Sequence, residues 1–107
     1  MSGDIVPALD PVIHPINRFK ICAVLSSYGA FAGPVRKEMK YSRLCEETGH
    51  SEATLSKQLA VLQEAAYIEK FREYGATRAK DTVWVMLTET GKRAFDGHLA
   101  FLKGLAG

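Results

Sequence analysis

Three histidines, two cysteines and fourteen lysine or arginine side chains are the groups of this 107-residue chain whose types could do chemistry. Their spacing narrows what that chemistry is. His14, His50 and His98 are scattered, and neither a Gly-rich phosphate loop nor a Gly-flanked nucleophilic serine occurs. No two carboxylates pair in an evident pocket, so the chain is not expected to be an enzyme. Cys22 and Cys45 stand in amphipathic stretches without CxxC spacing and read as small buried hydrophobes. Zinc asks for about four ligands, which no spacing here supplies, so neither a metal nor another cofactor is expected. One stretch is different. In "SEATLSKQLAVLQEAAYIEKF" (51–71), Leu55, Leu59 and Leu62 fall at i, i+4 and i+7, one apolar stripe of a helix. Ala53, Ser56, Lys57 and Ala60 lie on the opposite side with Thr54 flanking them, a short, polar and reachable face.

The elements that must position this face follow from local signals. Ser51 is a good N-cap, with Glu52 in the favourable first turn. "YSRLCEETG" (41–49) reads as a two-turn helix capped by Ser42 and stopped by Gly49, with Leu44 and Cys45 inward. Such a helix is too short to survive alone. Two helices separated by "GH" describe a helix-turn-helix. Upstream, Pro11 and Pro15 each suit a first helical turn, and Ile16, Ile21, Val24, Leu25 and Tyr28 predict a helix over 15–28 that stops at Gly29. "AFAGPVRKEM" breaks at Gly33-Pro34, and Val35 to Met39 reads as a short extended piece. Downstream, "YIEKFREYGATRAKDTVWVML" gives two strand-like runs around a polar loop, a hairpin over 67–87. Phe71 and Trp84 in those runs read as core anchors. Thr88 then caps a last helix with Phe95, Leu99, Leu102 and Leu105 on one stripe.

Composition bounds the rest. One domain of ordinary size fits the length, and 47% hydrophobic with 24% charged residues is the profile of a globular protein. No apolar run reaches the roughly 18 residues of a membrane span, and no signal pattern opens the chain, so a cytoplasmic location is expected. The formal charge of +2 is too small to argue for nucleic acid by itself.

At residue level the chain resembles the winged-helix transcriptional regulators of the MarR and ArsR kind, nearest their compact one-domain members. The likeness is carried by "LDPVIHPINRFKICAVL", "YSRLCEETGHSEATLSKQLAVLQEAAYIEK" and "VWVMLTETGKRAF", and covers about residues 9 to 105. It implies a mainly α fold with a small β-hairpin wing (α+β), a winged helix-turn-helix, preceded by an N-terminal arm over 1–9 and occupying 10–107. It also implies a homodimer built from the first and last helices, with Ile13, Ile16, Phe95, Leu99, Phe101, Leu102 and Leu105 at the interface. The implied function is sequence-specific binding of duplex DNA as a regulator, a repressor by resemblance, with no effector identified. Helix 51–65 would enter the major groove, whose width of about 12 Å admits one helix. Ser51, Ala53, Thr54, Ser56 and Lys57 would face the bases. Ser42 and Arg43 would meet phosphate, and Arg72, Arg78 and Lys80 would act from the wing.

Two departures matter. Relatives usually have Gly where this chain has Ala66, and a Cβ in a left-handed C′ position costs about 1 kcal/mol. Asp96-Gly97-His98 has the Asp-x-His spacing of some zinc-sensing ArsR relatives, without the further His and Glu ligands such sites need. The acidic residues interleaved in the hairpin, Glu69, Glu73 and Asp81, keep open the alternative of a winged-helix module that binds protein rather than DNA.

Overall fold

A computed structural model describes residues 5–107; the first four residues of the expected arm lie outside the described residues. Pro15, with its φ locked at −55°, leads into helix α1, Ile16–Ser27, one residue later than the spacing predicted. Ile21, Cys22 and Leu25 face inward, and Gly29, at φ 72°, ends the helix. The expected extended piece at Val35–Met39 shrinks to strand β1, Met39–Lys40.

Helix α2, Tyr41–Thr48, follows β1 without a linker. Lys40 is held in the sheet opposite Trp84, so it occupies the cap position with extended backbone. Ser42, expected as the N-cap, therefore lies inside the first turn, and no side chain caps this end. Gly49 stops the helix in the left-handed region at φ 76°. Helix α3, Glu52–Glu64, starts as its sequence predicts, with the Ser51 hydroxyl accepting the Thr54 N–H at 3.1 Å. Strands β2, Ile68–Glu73, and β3, Thr82–Leu87, form the hairpin. They join β1 in an antiparallel sheet of order β1-β3-β2. Helix α4, Glu89–Leu105, is capped by Thr88, whose hydroxyl accepts the Gly91 N–H at 2.9 Å. Helix-turn-helix, hairpin and closing helix make a winged-helix α+β fold.

Leu55, Leu59 and Leu62 are fully buried among Ile21, Leu25, Leu44, Ile68, Val85 and Leu87. Ile13 and Phe95 join them, at 0% and 3% exposure, which corrects their expected place at a dimer surface. The segment before α1 and the first half of α4 close the core from one side, so these two side chains are used up inside the chain. Phe71 and Trp84 correct the opposite way. They are a directly opposed cross-strand pair, only half-buried and outside the core cluster. Arg36 lies 5.3 Å from the Phe71 ring and Lys40 Nζ 5.8 Å from the Trp84 ring, and the Trp84 Nε1–H donates to Glu73 at 3.1 Å.

The turn from α3 into β2 sets where the hairpin leaves. The Tyr67 N–H donates to the Leu62 carbonyl and the Ala66 N–H to the Gln63 carbonyl, both at 2.9 Å, a Schellman closure of the helix. That closure puts Ala66 at φ 64°, the one non-glycine with positive φ among the described residues. Thr88 fastens the same corner: its hydroxyl donates to the Ala66 carbonyl at 2.7 Å and its N–H to the Tyr67 carbonyl at 3.0 Å. Helix α4 packs so closely here that a Cβ on Gly91 would stand 2.0 Å from the Tyr67 oxygen. The surrounding bonds thus hold alanine in a conformation it disfavours. Ala66→Gly is expected to stabilise the fold by about 0.5–1 kcal/mol, the left-handed penalty relieved less the extra freedom of the unfolded chain. Thermal unfolding followed by circular dichroism should show Tm rising by about 4 °C; an unchanged or lowered Tm would show that the corner carries no such strain.

Candidate nucleic-acid interface

Burying one stripe of α3 leaves Ala53, Lys57 and Ala60 on the opposite face without a structural task. Ser51, Glu52, Ala53, Ser56, Lys57 and Ala60 are exposed, and Thr54 is half-buried. The Ser51 hydroxyl also lies 3.1 Å from the Thr54 hydroxyl, which orients both at the first turn. Among the described residues Lys57 has no ion-pair partner within 4 Å. The helix start is anchored from two sides. The Tyr41 hydroxyl on α2 donates to the Glu52 carbonyl at 2.8 Å, and His50 Nε2 lies 3.2 Å from the Asn17 carbonyl on α1. Burial raises the Tyr41 hydroxyl above its ordinary range.

Between α3 and the hairpin runs an open groove of about 470 Å³, bordered by Tyr41, Glu52, Ser56, Lys70, Phe71 and Arg72. Lys70 was not among the residues expected from sequence. The signal was there: with a period of two, Lys70 and Arg72 share the strand face of Ile68, which packs inward beneath α3. What sequence lacked was the knowledge that α3 lies along that face.

The wing tip is pre-ordered by one carboxylate. Asp81, with its side chain 10% exposed, accepts the Gly75 N–H at 2.9 Å and lies 3.6 Å from Arg72. A 3₁₀ turn at Arg78–Lys80 folds over Gly75, where a Cβ would stand 2.5 Å from the Lys80 carbonyl. Arg78 and Lys80 themselves are exposed, whereas the Arg72 charge is partly offset by Asp81. On α2, Ser42 is exposed and borders a cleft with Lys40, Asp81 and Thr82 at the base of the wing. Arg43 is occupied: it meets Glu47 at 3.0 Å and lies 5.5 Å from the Tyr28 ring. An exposed pair of that kind is worth about 0–1 kcal/mol, so a phosphate can replace it at little cost.

The arrangement is thus a projecting helix with a short polar face, flanked by a groove and a cation-bearing hairpin. Its dimensions and donors suit duplex DNA, with the helix in a groove and the hairpin along the backbone. Among the described residues no three of His, Cys, Asp and Glu are grouped to hold a metal ion. Asp96 is engaged with Lys92 at 2.7 Å. The Cys22 thiol is pushed up to about 12, first by burial and then by Asp10, a small apolar filler rather than a nucleophile.

No helix is long and apolar enough to cross a membrane among the described residues. Comparison with curated proteins and with solved structures yields no significant match. The model of one family, described as winged helix DNA-binding domain, matches residues 18–106, which run from within α1 to just past the end of α4. That span takes in the helix-turn-helix, the groove and the wing together, and the chain belongs to the winged helix DNA-binding domain family.

Proposed function

We propose that this protein is a cytoplasmic transcriptional regulator of the MarR/ArsR-like kind, a homodimeric repressor that reads duplex DNA by sequence. The observation that carries the reading is the free face of α3. A buried leucine stripe holds the helix while Ser51, Ala53, Thr54, Ser56 and Lys57 project beside a groove bordered by Lys70 and Arg72. Ser42, Arg43, Arg78 and Lys80 would hold phosphates on either side. No cofactor enters the reading. The partner-facing surface for a second copy would comprise Ile16 and Leu105, 66% and 71% exposed, together with the half-buried Leu99, Phe101 and Leu102. Ile5, Val6 and Leu9, also exposed, extend it.

The reading separates the roles of two cations. Lys57→Ala should leave the fold intact, since alanine is the better helix former. It should cost about 1–3 kcal/mol on the preferred site and blur the preference at one position of each half-site. Arg78→Ala should weaken preferred and random DNA alike and reduce the salt slope by about one unit for each phosphate the side chain no longer neutralises. Titrations of both DNAs at several salt concentrations decide this. If neither substitution alters affinity in a folded protein, DNA is not read by this face. If a macromolecular partner is bound with little salt dependence, the surface serves protein recognition instead.

The dimer has its own check. Light scattering at micromolar concentration should give twice the 11.8 kDa chain mass, and Leu105→Lys with Ile16→Lys should shift the population toward monomer. A single-chain mass for the unaltered protein refutes the homodimer.

A further inference from the structure

The segment ahead of α1 is strapped across α4 by polar bonds, one of them to a buried histidine. The Ala8 N–H donates to the Gly97 carbonyl at 3.1 Å. Gly97 permits the approach, since a Cβ there would stand 2.8 Å from the Val6 carbonyl. The Asp10 N–H donates to His98 Nδ1 at 3.0 Å, across a sequence separation of 88. Asp10 then organises the strap: Oδ1 accepts the N–H groups of Val12 and Ile13 at 2.8 and 3.2 Å, and Oδ2 accepts the Tyr67 hydroxyl at 2.6 Å. Arg18 continues the chain of bonds, donating from Nε to the Val12 carbonyl at 2.6 Å and from its guanidinium to Gln58 Oε1 on α3 at 2.8 Å. The strap therefore joins α4 to the reading helix and to its exit at Tyr67.

His98 is fully buried. Since Nδ1 accepts, the ring is the neutral tautomer with its proton on Nε2, and that Nε2 is buried without a partner among the described residues. A second proton would go to Nδ1, where it would face the Asp10 N–H, donor against donor. The bond that docks the strap cannot survive that charge. We propose that His98 is a proton-operated latch: charging it releases residues 8–14 from α4 and loosens the seat of α3 through Asp10–Tyr67 and Arg18–Gln58. The loss of DNA affinity this implies rests on the function proposed above; the latch itself does not.

The surroundings set the sign. From the strap, His14 faces the ring edge-on with centroids 5.5 Å apart, and the Asp10 carboxylate lies close by. From α1, Phe19 packs at 5.8 Å, the Cys22 thiol is neutral, and Arg18 is committed to Val12 and Gln58. The Tyr67 hydroxyl, raised to about 12 first by burial and then by Asp10, is neutral too. On α4 itself Lys92 and Asp96 offset each other. Burial first, then His14, hold His98 below its ordinary value, and Asp10 opposes them. With the folded value below the unfolded one, the latch's contribution is complete above the ordinary histidine value of 6.5 and is lost as pH falls through the folded value.

Nitrogen-resolved NMR of the free protein at pH 7.5 should find the Nε2–H tautomer at His98, and Nδ1–H there would overturn the proposal. Amide exchange, normalised to intrinsic rates, should show protection at Ala8 and Asp10 falling, by at most about tenfold per pH unit, as pH drops from 6.5 to the folded value and levelling off below it, as one-proton linkage requires. Protection at Val85 should hold. Equal strap protection at pH 7.5 and pH 5 overturns the latch in the unaltered chain, whatever any variant does. His98→Asn keeps an acceptor near the Nδ1 position without titrating and should make strap protection independent of pH; retained dependence assigns the effect elsewhere and overturns the proposal. At pH 5.5 the unaltered chain should bind duplex DNA at least about fivefold more weakly than His98→Asn, the low end of ordinary coupling between sites. Equal affinities overturn the coupling to α3. A chain that opens its strap in acid yet binds no duplex at pH 7.5 supports the latch and removes the DNA reading instead.

Discussion

The seating of α3 is the constraint on which the other elements depend. A helix of 13 residues is marginal in water by itself. Full burial of Leu55, Leu59 and Leu62, each contributing about 1.5–3 kcal/mol, supplies what propensity does not. Every neighbouring element gives that stripe a surface: Ile21 and Leu25 from α1, Leu44 from α2, Ile68 from β2 and Leu87 from β3. Because one stripe does the holding, the opposite face is free of structural duty. Ala53, Ser56 and Lys57 stand there at little energetic cost to the fold.

Where α3 ends matters as much as where it sits. The Schellman closure turns the chain at Ala66, and the carbonyls of Ala66 and Tyr67 go to Thr88. One threonine therefore caps α4 and locks the departure of the hairpin from α3. A left-handed alanine is tolerated there because the surrounding bonds over-determine it.

Charge is placed with the same economy. Within the hairpin Asp81 spends its carboxylate on the Gly75 N–H and on Arg72, giving the loop a shape while leaving Arg78 and Lys80 exposed. On the outer sheet face Arg36 pairs with Glu38 and Glu69 beside the Phe71–Trp84 pair. The acidic residues that dilute the wing in sequence are thus partly structural and partly on the far side of the sheet.

Local physics made much of this readable from sequence. Ser51 and Thr88 cap helices, Gly29 and Gly49 stop them, and the leucine stripe of α3 has one inward solution, because each depends on neighbours within a turn or two. The left-handed position of Ala66 was marked by the resemblance, since relatives usually carry glycine there. Partners far apart along the chain were beyond reach. Ser42 lost the cap because Lys40 pairs with Trp84, and Lys70 faces the groove because α3 lies beside it. Ile13 and Phe95 are inside because the segment before α1 and the first half of α4 close the core, and Asp10 finds His98 on the far helix. Periodicity identifies which residues share a face. Only the tertiary structure decides what that face meets, since burial, pairing and proton affinity depend on atoms that folding brings near and sequence order does not.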